Sequence, residues 1–340
     1  MSSGPAYGGS FPPAPSGPPA PEPPLPSGEP EPSDVIEWRR PALLFALSVV
    51  SIFLAGAMYV APPGATLAQC VTRIYTGWTF AVPMLAILLA HEFGHYIAAR
   101  LHRVPASLPY FLPLPLLSPF GTLGAVIAMR GRIRSRDALL DIGASGPLAG
   151  MVVAIPVLAI GLLTSKVGPA PLQNYTQEGQ SLLYWALKRL VLGPMPAGYD
   201  VNLSATAFAG WAGLLITMMN LIPWGQLDGG HIAFSLFGPW QNRAARWFRS
   251  SLLVLFAMNL LAFAIPISQG RLQMSYGMAF LNSWAWLIWW MLLGLLGRVS
   301  GGSDHPPFEP GPLSPVRKVV AAVSLVLFAL LFMPRPWTNY

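Results

Sequence analysis

Long apolar stretches, separated by short polar or charged segments, recur along this chain of 340 residues. A helix needs about 20 predominantly apolar residues to cross about 30 Å of hydrocarbon. Stretches of about that length predict seven membrane-crossing helices, at 42–61, 77–99, 140–163, 204–222, 250–268, 280–297 and 318–334. The pattern therefore predicts an all-α polytopic membrane protein with about six or seven transmembrane helices, because two short helical pieces could replace the last one.

One apolar segment, residues 104–136, cannot form a simple spanning helix. It is broken by prolines and glycines, at Pro105, Pro109, Pro113, Pro115, Pro119, Gly121, Gly124 and Gly131. Proline lacks an amide donor and blocks helix interiors, and irregular backbone at membrane depth must be buried in protein or line a wet cavity. We therefore predict a re-entrant loop followed by a short membrane-embedded β segment, Thr122–Met129. The alternative is a loop that lies on the membrane surface.

These patterns divide the chain into four predicted segments. Residues 1–38 are rich in Pro, Gly and Ser and lack the apolar core of a signal peptide, which predicts a disordered Pro-rich cytoplasmic tail. Residues 39–76 hold the first transmembrane helix and an outer loop, residues 77–235 a membrane core with the candidate chemistry, and residues 236–340 the C-terminal transmembrane helices.

Composition supports a membrane protein and excludes other classes. Apolar residues make up 54% of the chain and charged residues 10%, whereas soluble domains carry about 25% charged residues. The net charge of +7 does not indicate nucleic-acid binding, because the basic residues lie in short clusters between apolar runs. A single cysteine, Cys70, excludes an internal disulfide and a multi-cysteine metal site.

The distribution of basic residues predicts the orientation. Arg39 and Arg40 precede the first predicted helix, and threading seven helices from there places 14 basic residues inside and 6 outside. Because basic residues are enriched in cytoplasmic loops, the N-terminus is predicted to be cytoplasmic. Arginine-rich inner loops are typical of a bacterial inner membrane, although a plastid membrane would give much the same pattern.

The string LLAHEFGHYIAAR, residues 88–100, carries the main chemical signal. His91 and His95 are four residues apart, so on a helix they point in the same direction and can bind one zinc ion together. Glu92 follows the first histidine and is placed to take a proton from water, as the glutamate of an H-E-x-x-H site does. The alternative is a pair of buried histidines bonded to backbone carbonyls.

A catalytic zinc site needs a third protein ligand and one open position. Asp228 is the candidate, because it lies where an apolar helix meets Pro223 and several glycines, in NLIPWGQLDGGHIAF at 220–234. A carboxylate near membrane depth needs a cation, and the predicted topology brings Asp228 and both histidines to similar depth. The alternative is an aspartate that caps the following helix.

Together these residues resemble the site-2 protease family of intramembrane zinc metalloproteases. The resemblance covers roughly residues 77–235 and rests on H-E-F-G-H, FGTLGAVIAMR at 120–130, GASGPLAG at 143–150 and NLIPWGQLDGGH at 220–231. It implies one zinc ion (Zn2+) per chain, held by His91, His95 and Asp228, with Glu92 as general base. It also implies a compact branch, which includes plastid and bacterial homologues, without an inserted PDZ-like module.

The resemblance suggests a role for one further residue. Asn220 lies eight residues before Asp228 and is expected on the same helix. Its amide could donate to the oxyanion that develops during hydrolysis, or it could tie two helices together. His231 could support the metal ligands or lie at the surface where a helix starts. We expect no catalytic role for His102 and His305.

The sequence therefore predicts an intramembrane zinc metalloendopeptidase that acts in regulated intramembrane proteolysis. Its expected partners are membrane-anchored protein substrates and the lipid bilayer, not nucleic acid. An unwound substrate segment is expected to pair with the strand at Thr122–Met129. The alternatives are a membrane metal transporter or channel that uses the same ligands, and an inactive membrane scaffold.

Overall fold

The apolar stretches form helices, because a helix satisfies its backbone hydrogen bonds internally where water is absent. The computed structural model describes residues 37–129, 133, 135–170, 175–299 and 311–340. The predicted Pro-rich tail lies almost entirely outside the described residues, as do His305 and a few residues of the segment 104–136. The predicted division into four segments stays a prediction.

The described residues form eleven α-helices and six short strands. The helices are α1 (Arg39–Val60), α2 (Leu67–Thr72), α3 (Trp78–Leu101), α4 (Arg136–Leu163), α5 (Leu182–Leu192), α6 (Ala205–Asn220), α7 (Asp228–Phe237), α8 (Trp240–Ser268), α9 (Tyr276–Ser283), α10 (Ala285–Val299) and α11 (Pro315–Leu331). The strands are β1 (Tyr110–Pro113), β2 (Thr122–Val126), β3 (Lys166–Pro169), β4 (Thr176–Glu178), β5 (Tyr199–Asn202) and β6 (Trp337–Asn339).

Helices occupy all seven positions at which membrane-crossing segments were predicted, but fewer are long enough to cross a membrane. By length and apolar composition, four described helices qualify, namely α1, α3 with the turn before it, α4 and α8. α9 and α10 are bent by 44° and add a fifth span only if the pair is counted as one. α6 is apolar but has only 16 residues, because the chain turns after Asn220 to start α7. The predicted six or seven helices are therefore not all matched by a span of sufficient length.

α8 also differs from its predicted bounds. It begins at Trp240 instead of near 250, so the three arginines Arg243, Arg246 and Arg249 lie on the helix and not in a loop. Apolar length alone could not show this, since the first turns of α8 are polar and charged.

The Pro-rich segment forms a β-hairpin. β1 and β2 are antiparallel, with Phe111 opposite Ala125 and an irregularity before Pro113. The predicted extended segment therefore contains a strand, and the Pro-rich half supplies the partner strand that the sequence analysis did not predict. Gly121, directly before β2, has a φ of +76°. The Ser51 hydroxyl of α1 donates to the Gly121 carbonyl at 2.5 Å. The membrane depth of this hairpin stays a prediction.

α4 is central to the helical packing, since it contacts α3, α6, α7 and α11. Small residues make these contacts close: a Cβ at Gly161 would overlap Ala207 of α6, and a Cβ at Gly210 would overlap Leu158. Such contacts are typical of helix pairs in membranes. Outward-facing side chains such as Val152 are large, apolar and exposed, as expected of a surface that lipid covers.

Two long-range pairings agree with the relative sidedness of the predicted topology. Arg317, near the start of α11, bonds to Asp137 and Asp141 near the start of α4, at 3.0 and 2.6 Å. At the other end of these helices, β6 pairs with β4, which lies in the connection between α4 and α6. Which side faces the cytoplasm stays a prediction.

Candidate metal centre and active site

Three side chains from two helices meet at one point. His91 and His95 lie one turn apart on α3, and Asp228 is the first residue of α7. The two histidine Nε2 atoms are 3.2 Å apart, and Asp228 Oδ2 is 3.2 Å from each of them. Both histidines are buried and Asp228 is half-buried. The structure thus brings the predicted ligands within reach of one ion.

The triangle of donor atoms has the dimensions of one face of a zinc coordination tetrahedron. Zinc binds nitrogen and oxygen at about 2.0–2.2 Å, so neighbouring ligand atoms of a tetrahedral site lie about 3.3–3.5 Å apart. The three separations of 3.2 Å are close to that value. Three protein ligands also leave one position open for water or substrate, as at catalytic zinc. The residues present therefore fit a catalytic zinc ion.

Two polar contacts orient the ligand side chains. His95 Nδ1 donates to the backbone carbonyl of Ile142 in α4 at 2.6 Å, which leaves Nε2 unprotonated and able to bind a metal. Asn220 is the last residue of α6 and does not share a helix with Asp228, which starts α7, because a Pro- and Gly-containing turn separates them. The Asn220 Nδ2 atom lies 3.2 Å from His91 Nε2. Its amide therefore points into the ligand cluster and also links α6 to α3, so its position is compatible with both expected roles.

A tight turn between α6 and α7 positions Asp228 beside the two histidines. Gly225 in this turn has a φ of +52°, which glycine adopts at little cost. A Cβ at Gly229 would overlap the Leu221 carbonyl, so the glycine allows α7 to start directly against the end of α6. Leu227, not Asp228, holds the N-cap position, and no side-chain capping bond forms. The capping alternative for Asp228 therefore does not describe this helix.

The string GASGPLAG at 143–150 has a structural role that the sequence analysis missed. A Cβ at Gly146 would overlap the His95 imidazole, and a Cβ at Gly150 would lie 3.3 Å from His91. These glycines therefore let α4 pack directly on the ligand face of α3. The signal that could have revealed this is the spacing of small residues at one helical period, which marks close helix contacts in membranes.

The remaining candidate residues take different positions. Glu92 is buried with 6% exposure, beside His91 and close enough for its charge to act on all three ligands. His231 is half-buried in the first turn of α7 and does not belong to the three-ligand cluster. His102 lies elsewhere, with Nε2 2.7 Å from Asp141 Oδ2.

We expect Gly146→Ala to lower metal affinity without unfolding the protein. The added methyl would displace the His95 imidazole, which would cost about 10–100-fold in affinity, as loss of other orienting contacts to a ligand does. The measurement is a zinc titration of the purified variant. Gly277→Ala is the matched control, because this helical glycine has only Ser275 Oγ nearby, at 3.8 Å, and it should bind zinc normally. Equal affinity for all three proteins would show that Gly146 does not position His95.

Comparison with known proteins places these residues in a family. A model of Peptidase family M50 matches residues 79–264, more than half of the chain. This span contains His91, Glu92, His95, Asn220 and Asp228. No solved structure matches the chain.

Named relatives are plant proteins. "Probable zinc metalloprotease EGY2, chloroplastic" of Oryza sativa subsp. indica is 34% identical over 160 residues, which are 46% of this chain and 29% of that protein. "Probable zinc metalloprotease EGY1, chloroplastic" of Arabidopsis thaliana is 31% identical over 196 residues, 56% of this chain and 34% of that protein. The chain thus spans about a third of the length of these relatives. They are chloroplastic, so they lend no support to the predicted bacterial inner membrane.

Proposed function

This chain belongs to Peptidase family M50, the site-2 protease family, and from that premise we propose that it is an intramembrane zinc metalloendopeptidase. Its substrates would be membrane-anchored proteins, cut at peptide bonds within their transmembrane segments. Cleavage of this kind would serve regulated intramembrane proteolysis. The relatives named as zinc metalloproteases support the same class of activity.

The observation that carries the proposal is the triangle of His91, His95 and Asp228 with Glu92 buried beside it. A passage site for metal ions needs ligands, but it does not need a buried carboxylate next to the first histidine. Hydrolysis does need one, because water must lose a proton as it attacks a peptide carbonyl. The arrangement therefore favours a hydrolase over a transporter.

Each residue of the cluster has a separate task in this proposal. Bound zinc would supply a Lewis acid that polarises the scissile carbonyl and acidifies water. Glu92 takes the proton from the attacking water and returns it to the leaving amine. Asn220 donates its Nδ2 hydrogen to the carbonyl oxygen as negative charge develops there. The Ile142 carbonyl keeps the His95 ring oriented throughout.

The hairpin offers the substrate a strand to pair with. A transmembrane helix must unwind locally before cleavage, because its carbonyls are bonded within the helix, and strand pairing replaces those bonds. In the described part of the chain β2 pairs with β1 alone, so its other edge has no strand partner there. β2 also lies beside α3, which carries both histidines. We propose that this edge of β2 binds the unwound segment.

Removal of zinc tests the proposed function directly. We expect a chelator such as 1,10-phenanthroline to stop cleavage of a reporter with one transmembrane segment in proteoliposomes, and zinc re-addition to restore it. The reason is that the ion would supply the Lewis acid that polarises the scissile carbonyl and acidifies the attacking water. Metal content, measured by mass spectrometry, should fall and recover together with cleavage. Full cleavage by zinc-free protein would refute the proposal.

The same vesicles distinguish the transporter alternative. A zinc-sensitive dye inside them reports ion entry while the reporter reports cleavage. Ion uptake that depends on His91 and Asp228, without any cleavage, would favour a metal transporter or channel. Cleavage without uptake supports the protease.

A further inference from the structure

A cavity of about 780 Å³ lies where α4 ends and α6 begins, away from the metal centre. Its volume is within the range of about 300–1,000 Å³ that is typical of ligand sites. None of the five candidate site residues, all of which the structure describes, lines it. The cavity is therefore separate from the metal centre, and it lies on the side that the predicted topology places outside.

Two small sheets contribute to its wall. β3 pairs with β5, and β4 pairs with β6, with no third strand in either sheet among the described residues. Residues of all four strands line the cavity. Within the described residues each strand therefore has one edge without a strand partner. Such edges bind extended peptide segments through main-chain hydrogen bonds.

The polar part of the wall is acidic. Glu178 and Asp200 both line the cavity, whereas Lys188, which bonds to both carboxylates at 3.3 and 3.2 Å, is buried behind them. Two carboxylates thus share one ammonium group. Among the described residues that line the cavity, the one cation, Lys166, is exposed, so water screens its charge.

Asp200 supports a lasting negative charge in the cavity, whereas Glu178 is more easily protonated. Burial acts to raise the pKa of Asp200, but the Val201 amide and the Lys188 ammonium outweigh it, so this pKa lies below its ordinary value. Burial raises the pKa of Glu178 above its ordinary value, although Lys188 and the Tyr184 hydroxyl oppose that rise. A second cation in the cavity would favour the ionised form of Glu178.

Aromatic side chains connect this cavity to the hairpin. Tyr59 and Phe208 are stacked with centroids 4.4 Å apart, and Phe120 lies 6.0 Å from Phe208. Phe120 belongs to the turn between β1 and β2, and it lines the cavity. Phe120 therefore links the cavity to the turn that precedes β2. Aromatic faces beside carboxylates also favour a cationic side chain.

We propose that this cavity binds the extended juxtamembrane segment of a protein substrate, with a lysine or arginine side chain directed to Asp200 and Glu178. The strands supply main-chain bonds, and the acidic wall selects for a basic residue. That the peptide is a substrate rests on the proposed function, whereas its binding requires no catalysis. The cavity would thus select substrates before their transmembrane segment reaches the metal centre.

Peptide binding to the full chain tests this proposal. The probe is a short labelled peptide of alternating threonine, valine and lysine, with a glutamate-for-lysine peptide as its counterpart, and fluorescence anisotropy reports affinity. The protein is Glu92→Gln in detergent, so that no cleavage interferes. We expect the lysine peptide to bind about tenfold more tightly, as expected for one or two charge-assisted bonds.

A bulky residue inside the cavity should remove this binding. Gly168 lines the cavity and has no atom within 4 Å of an added Cβ, so Gly168→Trp can fill space without displacing backbone. Binding of the lysine peptide should weaken at least about tenfold. Gly311→Trp is the matched control, because Gly311 is equally open and does not line the cavity.

The outcomes separate this proposal from the proposed function. Equal binding of both peptides, unchanged binding to Gly168→Trp, or displacement of the peptide by free phosphocholine would overturn the cavity proposal, the last in favour of a lipid headgroup site. Selective binding together with a wild-type protein that cleaves no reporter would support the cavity and overturn the protease. Reporter cleavage that does not depend on the charge of the juxtamembrane segment would support the protease and overturn the cavity proposal.

Discussion

Glu92→Gln is expected to abolish cleavage while zinc stays bound. Glutamine is nearly isosteric with glutamate, so the packing around this buried side chain is kept, but the amide cannot take a proton from water. General base catalysis contributes about 10²–10⁴-fold to a rate, and cleavage should fall by at least that factor. His91, His95 and Asp228 are unchanged, so the donor triangle is retained.

The measurement pairs two readouts on one sample. Zinc content after gel filtration should match the wild type, while cleavage of the membrane-anchored reporter should be lost. Glu37→Gln makes the same chemical change at an exposed position before α1 and should leave both readouts unchanged. If the Glu92→Gln protein cleaved at a wild-type rate, Glu92 would not be the base. If it lost zinc, Glu92 would hold the ion and not only the proton.

The clustering of His91, His95 and Asp228 could be predicted from sequence because its determinants are local. Two histidines at positions i and i+4 must share a helix face, and the structure places the Nε2 atoms of His91 and His95 3.2 Å apart. Asp228 could be predicted for a related reason. A carboxylate at a Pro- and Gly-rich helix break, near membrane depth, needs a cation. Topology then brought it to the depth of the histidines. The histidine pair thus followed from local spacing, and Asp228 followed from its predicted depth in the membrane.

The parts of the fold that were missed depend on distant contacts. β4 pairs with β6, which joins Glu178 to Trp337 across almost half of the chain, and no local pattern specifies that partner. β1 was not predicted for another reason, because proline disfavours a strand except at an edge or an end, and Pro109 precedes β1 while Pro113 ends it. The glycines of α4 show periodic spacing, but only the three-dimensional contact shows that His91 and His95 are what they accommodate.

Asp228→Ala is expected to lower zinc affinity sharply and to stop cleavage with it. The substitution removes one of three donor atoms and the one negative charge among them, so the loss should exceed the roughly 10–100-fold cost of removing an orienting hydrogen bond. Because an ion that binds the folded state stabilises it by about 2.7 kcal/mol at a concentration of 100 times Kd, zinc should also cease to raise the melting temperature.

Asp228→Asn separates loss of the ligand from loss of packing. Asparagine keeps the volume and polar contacts of the side chain but not its charge, so this variant should also bind zinc weakly. Asp137→Ala is the matched control, since that aspartate bonds to Arg317 and lies outside the cluster, and it should keep its zinc. Normal zinc affinity in both Asp228 variants would mean that two imidazoles hold the ion with a different third partner. Since Asp228 Oδ2 lies equally far from both imidazole nitrogens, such a result would require α7 to move away from α3 when the ion binds.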